Sequence, residues 1–205
     1  EIAGYDPLYL LRYGELIAAS ERGQPNISPP FGFNRIISPA NHESKIIDFL
    51  NVRYILSLRQ LQSEKLSLVF EEGETKIYEN KKVFPRAFLV TDYQIAGNKQ
   101  EAIELLMSDK IDLNKTVVLE EEIDYQKADY KGSGQVEIVD YQPERVVLKV
   151  VSPQPAILVL SDAFYPDWFA SVDGQSTKVY RANYHYRAVV VPAGEHEVIF
   201  NYSIW

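Results

Sequence analysis

Residues 168–180 read WFASVDGQSTKVY, two short runs of strand-forming residues around an Asp-Gly pair. Such a pair between two runs is the strongest short-range signal for a β-hairpin, because the tight turn requires positive φ at both central positions. Asp173-Gly174 therefore predicts a hairpin that joins a strand at 168–172 to a strand at 177–180. This hairpin indicates antiparallel β-structure in the last third of the chain.

Strand-like runs continue on both sides of the hairpin, from residue 135 onward. They are separated by turn-forming segments such as Ser-Pro-Gln-Pro at 152–155 and Pro-Ala-Gly-Glu at 192–195. The last run alternates, and one of its faces is formed by His196, Val198, Phe200 and Tyr202. Six or seven short strands with regular turns predict an antiparallel β-sandwich of the jelly-roll or carbohydrate-binding-module-like type.

The first part of the chain mixes helical and strand patterns. Asp6-Pro7 predicts the start of a helix that ends before 22–23, and the proline-rich segment 24–40 predicts a long loop. The further elements expected along this part are a helix at 44–50, a strand at 51–57, a hairpin of 66–70 with 75–79, a strand at 88–90, a helix capped by Asn98 and a strand at 117–119.

A polar segment at 120–134, with three consecutive glutamates and a Gly-Ser-Gly run, is the best candidate for a domain boundary. We therefore predict an α+β protein with a mixed α/β subdomain at 1–125 and a β-sandwich subdomain at 126–205. The chain has 205 residues, of which 46% are hydrophobic, and this is enough for two small cores.

Composition excludes several classes of function. The net charge of −8 argues against a nucleic-acid partner, because a surface that binds phosphate backbones is normally basic. The chain has no cysteine, so it has no disulfide framework and no thiolate metal site. Its three histidines form no paired motif on a helix face, so we predict no metal site. No stretch reaches the roughly 20 apolar residues of a membrane span.

The sequence also lacks the common catalytic signatures. It contains no nucleophile elbow, no phosphate-binding glycine loop and no dinucleotide fingerprint, so we predict no cofactor and no catalytic residue. Asp162, Asp167 and Asp173 lie close to Trp168 in sequence, and carboxylates beside an aromatic ring occur in glycosidases and in calcium sites. Their spacing fits no specific loop, and Asp173 is better explained as a turn residue.

Aromatic residues around Trp168 allow two interpretations: they bind sugar rings as an exposed platform, or they form the core of the sandwich. A platform for sugar rings would use the flat faces and hydroxyl groups of Tyr165, Trp168, Tyr180, Tyr184 and Tyr186. Alternatively, these rings form the core and cross-strand pairs of the sandwich. Strand alternation places Tyr184 and Tyr186 on one face, and His185 and Arg187 on the other.

Arginines near the ends of apolar runs are the remaining candidates for a binding site. Arg53 or Arg86 would either bind a phosphate or carboxylate through two hydrogen bonds, or form an ion pair with an acidic residue of the same chain. Asn183 and Arg187 face either a ligand or the rest of the fold. The candidate ligand-binding residues are therefore Arg53, Arg86, Trp168, Asn183, Tyr184, Tyr186 and Arg187.

Several motifs in a fixed order resemble the C-terminal extracytoplasmic region of the YfhO-like bacterial membrane proteins, which are related to the GT-C polyprenyl-phosphate glycosyltransferases. The motifs are Gly4-Tyr5-Asp6-Pro7-Leu8, Asn51-Val52-Arg53-Tyr54-Ile55-Leu56, Phe84-Pro85-Arg86-Ala87, and a block from Leu160-Ser161-Asp162 through Tyr165-Pro166-Asp167-Trp168, Asp173-Gly174, Asn183, Arg187-Ala188 and Pro192-Ala193-Gly194-Glu195-His196 to Phe200-Asn201-Tyr202. Together they span nearly the whole chain.

The resemblance implies that a multi-helix membrane portion precedes Glu1 and that a final membrane helix follows Trp205. It implies a location on the outer face of the bacterial cytoplasmic membrane and a part in transferring sugars from a polyprenyl-phosphate donor to a cell-envelope acceptor. In that family the catalytic acids lie in the membrane portion, so no catalytic residue is carried over to this chain.

The resemblance thus implies an accessory domain whose partners are the membrane portion of the same polypeptide and an envelope glycan or glycolipid. Three alternatives stay open: a free carbohydrate-binding module, a glycoside hydrolase, and a structural domain without a ligand. A carbohydrate-binding module needs exposed aromatic rings, and a glycoside hydrolase needs two facing carboxylates.

Overall fold

The computed structural model describes residues 10–27, 41–127, 132 and 134–203. The chain divides into two compact units, Glu1–Pro85 and Arg86–Trp205. Within the described ranges, no helix has both the length and the apolar character needed to cross a membrane.

In its described residues, the first unit contains two helices and a three-stranded antiparallel sheet. The helices are α1 (Leu11–Arg22) and α2 (Lys45–Phe49), and the sheet has the order β1 (Tyr54–Ser57), β3 (Thr75–Asn80), β2 (Leu66–Glu72). The predicted hairpin of 66–70 with 75–79 is confirmed, and Gly73 adopts a φ of 58° at its turn. The predicted helix start at Asp6-Pro7 and most of the predicted loop at 24–40 lie outside the described residues.

A buried ion pair stabilises the first unit. The Lys65 Nζ donates to Asp48 Oδ1 at 2.8 Å and to the Ser44 carbonyl at 3.2 Å. The Asn80 side-chain amide donates to the same Asp48 oxygen at 2.8 Å and to the Val52 carbonyl at 3.1 Å. Asp48 lies on α2 and Lys65 directly precedes β2, so this network ties the helix to the sheet.

The second unit has eleven strands in the described residues, arranged in two sheets, and one helix, α3 (Lys99–Met107). The five-stranded sheet has the order β11 (Gln175–Thr177), β10 (Trp168–Val172), β14 (Gly194–Tyr202), β8 (Arg145–Ser152), β7 (Gln135–Gln142). The six-stranded sheet has the order β4 (Ala87–Val90), β9 (Ala156–Ala163), β13 (Tyr186–Val191), β12 (Tyr180–Ala182), β6 (Thr116–Leu119), β5 (Asp92–Ile95).

One hydrophobic core lies between these two sheets. The five-stranded sheet contributes Val146, Leu148, Val150, Ala170, Val198 and Phe200, and the six-stranded sheet contributes Ala87, Ala156, Leu158, Leu160, Val189 and Val191. Each set follows the period of two that places alternate residues of a strand on one face. The predicted α+β fold with a β-sandwich is therefore confirmed.

The division of the chain differs from the predicted boundary between 125 and 126. Strands β4, β5 and β6 precede that boundary, yet they belong to the same sheet as β9, β13 and β12. The sandwich is also not wholly antiparallel, because β5 and β6 pair in parallel with α3 between them in sequence. The polar segment near 120 follows β6 and connects two parts of one unit.

Helix α3 begins where its capping pattern predicts. The Asn98 side chain accepts hydrogen bonds from the backbone amides of Gln100 and Glu101, each at 3.0 Å. The Glu101 carboxylate accepts in turn from the Gly97 amide at 2.8 Å. This exchange satisfies amides at the start of the helix that have no partner within it.

The hairpin at Asp173-Gly174 is confirmed. Asp173 and Gly174 adopt φ values of 51° and 77°, the pattern of a type I′ turn. Strand β10 pairs with β11, which runs over Gln175–Thr177, so the second strand starts earlier than the predicted 177–180. The Asp173 carboxylate accepts from the Glu197 amide at 2.9 Å and pairs with His196 Nδ1 at 2.7 Å.

Candidate functional site

Charged and aromatic side chains replace apolar ones at one end of the sandwich. The inward-facing row of β9 contains Leu158 and Leu160, and its next position is Asp162. The inward-facing row of β13 contains Val191 and Val189, and its next position toward the same end is Arg187. The apolar core therefore ends in a carboxylate and a guanidinium on neighbouring strands.

A β-bulge separates Asp162 from the regular ladder. Arg187 pairs with Leu160, whereas the preceding residue Tyr186 pairs with Ala163, so Ser161 and Asp162 have no partner position on β13. The Ser161 amide instead donates to the Arg86 carbonyl at 2.8 Å. A bulge adds a residue to one strand and changes where nearby side chains point, so this irregularity helps to place Asp162 between two arginines.

Four side chains form what we call the Asp162 cluster: Arg86, Tyr141, Asp162 and Arg187. Arg86 Nη1 donates to Asp162 Oδ1 at 2.7 Å and to the Tyr141 hydroxyl at 2.9 Å. Arg187 Nη2 donates to Asp162 Oδ2 at 2.9 Å. The Tyr141 hydroxyl donates to the same carboxylate, at 3.0 Å from Oδ1. One carboxylate is thus shared by two guanidinium groups and a phenol.

Arg187 is the buried member of the cluster, with only 2% of its surface exposed. Its Cζ lies 3.6 Å from the ring centroid of Trp168 and 5.4 Å from that of Phe200. No described residue accepts a hydrogen bond from Arg187 Nε or Nη1, although both atoms are buried. Burial disfavours the charged guanidinium and lowers the pKa of Arg187 to about 10, against the opposing attraction of Asp162.

Beside the cluster lie three rings that we call the Trp168 patch: Tyr165, Trp168 and Tyr202. Trp168 and Tyr202 are directly opposite in the ladder between β10 and β14, with ring centroids 5.4 Å apart. Tyr165 and Tyr202 are 6.3 Å apart. Tyr165 is 44% exposed, while Trp168 and Tyr202 are partly buried. Arg187 joins the patch to the cluster through its stacking on Trp168.

The hydroxyl groups of Tyr141 and Tyr202 remain protonated at neutral pH. Partial burial and, after it, the charge of Asp162 raise the pKa of the Tyr141 hydroxyl. Partial burial and the nearby Asp167 carboxylate raise the pKa of the Tyr202 hydroxyl. Both hydroxyl groups therefore keep their proton, which Tyr141 donates to Asp162 and Tyr202 shares with Asp167.

The structure brings three of the predicted site residues together, namely Arg86, Trp168 and Arg187. Asn183 and Tyr184 lie elsewhere, in the turn between β12 and β13, where both are buried and have positive φ. The Asn183 side chain accepts from the Val118 amide at 2.9 Å, and this contact ties the turn to β6. The predicted alternation of side chains over 184–187 therefore does not hold, because β13 begins only at Tyr186. Tyr186 is itself buried.

Arg53 lies in the first unit, at the start of its sheet. Its Nε and Nη2 donate to Glu79 Oε1 at 3.2 and 3.1 Å, and its Cζ lies 5.5 Å from the Tyr54 ring centroid. This is the internal pairing that the sequence left as an alternative for Arg53.

Four members of the site were not among the candidate ligand-binding residues: Tyr141, Asp162, Tyr165 and Tyr202. The sequence suggested Asp162 and Tyr165 only as parts of a carboxylate site and of a sugar platform. Tyr202 ends a regular alternating strand, so the face that it shares with Phe200 was visible in the sequence. Tyr141 was not, because a register shift between Ile138 and Asp140 changes the alternation along β7. Pairing Tyr141 with Val146, a core residue, places it on the inner face.

The carboxylates of this region do not form the facing pair that a glycosidase needs at Asp162 and Asp173. Asp162 lies at the end of the sandwich where β10 begins with Trp168, and Asp173 follows the far end of β10. Five residues of strand separate these ends by about 13–17 Å. Among the residues that the structure describes, no group of three or more acidic, histidine or cysteine side chains could hold a metal ion.

Comparison of the chain with protein-family models, with curated proteins and with solved structures finds no match.

Proposed function

We propose that this chain is a non-catalytic glycan-binding domain and that the end of its sandwich containing Trp168 is the binding site. In this proposal it belongs to a membrane protein of cell-envelope glycosylation, lies on the outer face of the bacterial cytoplasmic membrane, and presents an acceptor glycan or glycolipid to the membrane portion of the same polypeptide. The ordered motifs that resemble the YfhO-like proteins support this setting.

The observation that carries the binding proposal is the contact between the Trp168 patch and the Asp162 cluster. A sugar ring has apolar C–H faces and a rim of hydroxyl groups, so it favours an aromatic ring beside charged hydrogen-bonding groups. Tyr165 supplies an exposed ring. The partly exposed Arg86 supplies hydrogen-bond donors within the cluster.

A purely structural role is the second candidate, and one observation favours it. Arg187 already stacks on the Trp168 ring at 3.6 Å, so a sugar cannot use that face of the indole. In this alternative the rings and charges only close the end of the sandwich. The predicted module with Tyr180, Tyr184 and Tyr186 in its platform is not supported, because all three residues are buried.

Equilibrium binding to the 205-residue chain separates these candidates. The ligands are maltohexaose, oligogalacturonate and methyl-esterified oligogalacturonate, each titrated by isothermal calorimetry. We expect saturable binding of at least one of them. Tyr165→Ala should weaken that binding about tenfold or more, because covering a large apolar side chain is worth roughly 1.5–3 kcal/mol.

Phe169→Ala is the matched control. Phe169 is 58% exposed and directly follows Trp168, but alternation along β10 turns it toward the outer face of the sheet. Its removal should leave the affinity unchanged. The proposal is contradicted if none of the three glycans binds, or if Phe169→Ala weakens binding as much as Tyr165→Ala.

A further inference from the structure

We infer that the site selects glycans that carry an oxyanion, a carboxylate or a phosphodiester group, and that Arg86 binds this group. The inference rests on the proposed function, because it specifies the class of glycan that the same site would take. It is carried by the charge balance of the Asp162 cluster and by the unused donors of Arg86.

The Asp162 cluster has one positive charge more than its single carboxylate can balance. Arg86 and Arg187 both pair with Asp162, and Tyr141 remains neutral because its pKa is raised. Arg187 is removed from water, so its charge is poorly solvated and attracts a second anion more strongly than an exposed charge does. Asp167 lies beside Tyr202 in the Trp168 patch, so the surplus positive charge belongs to the four residues of the cluster, and a neutral sugar would leave it in place there.

Arg86 has donors directed away from the cluster. Its two hydrogen bonds within the described part of the chain both use Nη1, and its Nε and Nη2 have no acceptor there. The side chain is 42% exposed, so a ligand can reach Arg86 from the solvent. The planar guanidinium presents Nε and Nη2 as parallel donors, which match the two oxygens of a carboxylate or phosphate group.

Two contacts hold Arg86 in place for such a ligand. Asp162 fixes Nη1 at 2.7 Å, and the Tyr141 ring lies 5.2 Å from the Arg86 Cζ. A guanidinium that is already ordered loses less conformational entropy when it binds. Arg187 acts as a positioning residue, because it holds the other oxygen of Asp162. Asp162 in turn orients Arg86 toward an incoming anion.

The test compares acidic and neutral forms of one glycan on the 205-residue chain. Oligogalacturonate should bind about tenfold or more tightly than its methyl ester, which lacks the charge, since hydrogen bonds to charged groups are about twice as strong as neutral ones. Arg86→Gln should remove this preference while the ester still binds. A glucosylated glycerol-phosphate oligomer in place of oligogalacturonate tells a phosphodiester from a carboxylate as the preferred oxyanion.

Arg145→Gln is the control for a general loss of positive charge. Arg145 is 44% exposed and forms an ion pair with Asp140, so it resembles Arg86 in exposure and pairing but lies outside the cluster. Its variant should keep the preference for the acidic glycan. Inorganic phosphate is titrated alone as a further probe and should bind more weakly than the acidic glycan.

The outcomes separate this inference from the proposed function. Equal affinity for the acid and the ester would overturn the oxyanion inference and leave glycan binding intact. Equal loss of preference in Arg86→Gln and Arg145→Gln would also overturn the inference. Failure of every glycan to bind would overturn the proposed function itself. Inorganic phosphate that binds as tightly as the acidic glycan would contradict the glycan role, because the sugar would then contribute nothing.

Discussion

Each unit of the chain contains a buried ion pair, and the two pairs differ in how completely they are satisfied. In the first unit, Asp48 and Lys65 are both buried, and neighbouring backbone carbonyls and Asn80 complete their hydrogen bonds. In the second unit, Arg187 is buried beside Asp162, but its Nε and Nη1 have no acceptor in the described residues. A satisfied pair stabilises a fold, whereas a ligand can complete the open donors of Arg86, the exposed partner of the same Asp162.

The largest expected effect is on the satisfied pair. Asp48→Ala should lower the free energy of unfolding by about 3–5 kcal/mol, because it leaves the Lys65 ammonium buried without a counter-charge. The measurement is urea unfolding followed by circular dichroism. Glu79→Ala, which breaks the exposed pair with Arg53 in the same unit, is the control and should cost no more than about 1 kcal/mol. A loss of no more than about 1 kcal/mol in Asp48→Ala would contradict the stabilising role of the Asp48 network.

A turn variant in the second unit separates stability from binding. Gly174→Val should lower the free energy of unfolding by about 1–3 kcal/mol, because Gly174 has a φ of 77° that a β-branched residue adopts only under strain. The turn lies at the far end of β10 from Trp168, so glycan affinity of the folded protein should not change. Wild-type stability, measured by the same urea titration, would contradict the turn assignment.

A smaller effect on stability is expected at the unsatisfied pair. Arg187→Met should change the free energy of unfolding by less than about 1 kcal/mol, because the variant removes a charge that is costly to bury and leaves Asp162 paired with Arg86. The preference for an acidic glycan should fall about tenfold, since Asp162 loses the contact with Arg187 that holds its second oxygen and so orients Arg86 less firmly. A loss of stability as large as that of Asp48→Ala would give both pairs the same structural role.

The smallest expected effect concerns the exposed ion pair between Asp173 and His196. Hydrogen bonds from His196 and the Glu197 amide hold the pKa of Asp173 below its ordinary value. A lowered carboxyl pKa stabilises the folded state above the unfolded pKa, near 4, and this contribution is lost as the pH falls through the folded pKa. Asp173→Asn should therefore weaken the acid dependence of thermal unfolding slightly. An unchanged pH profile would show that Asp173 does not contribute to the acid dependence of stability.

The sequence predicted those features that depend on neighbouring residues. The Asp173-Gly174 turn, the Asn98 cap and the alternation of the last strand are local patterns, and all three occur in the structure. The domain boundary was placed too late because sheet membership depends on distant pairing. Strands β4, β5 and β6 join a sheet whose other members follow after residue 155, and no local pattern records this.

The candidate site was only partly predictable for the same reason. Arg86 meets Asp162 across 76 positions and Tyr141 across 55, so their proximity follows only from the paired sheets. Register shifts near Arg187 and before Asp140 also change which side chains face inward. The residue types at these positions suggested Arg86, Trp168 and Arg187 as candidates. That Arg86 and Arg187 share Asp162 could be identified only in the folded chain.

A heteronuclear NMR titration of the chain with oligogalacturonate tests whether a glycan binds where Arg86 and Arg187 share Asp162. It follows the Nε–H of Arg86, the indole N–H of Trp168 and the side-chain amide of Asn80, with Trp205→Phe used to assign the indole signals. Glycan binding at the unsatisfied pair predicts saturable shifts of the Arg86 and Trp168 signals and no shift of Asn80, which belongs to the satisfied network. Unchanged Arg86 and Trp168 signals at saturating glycan would contradict the claim.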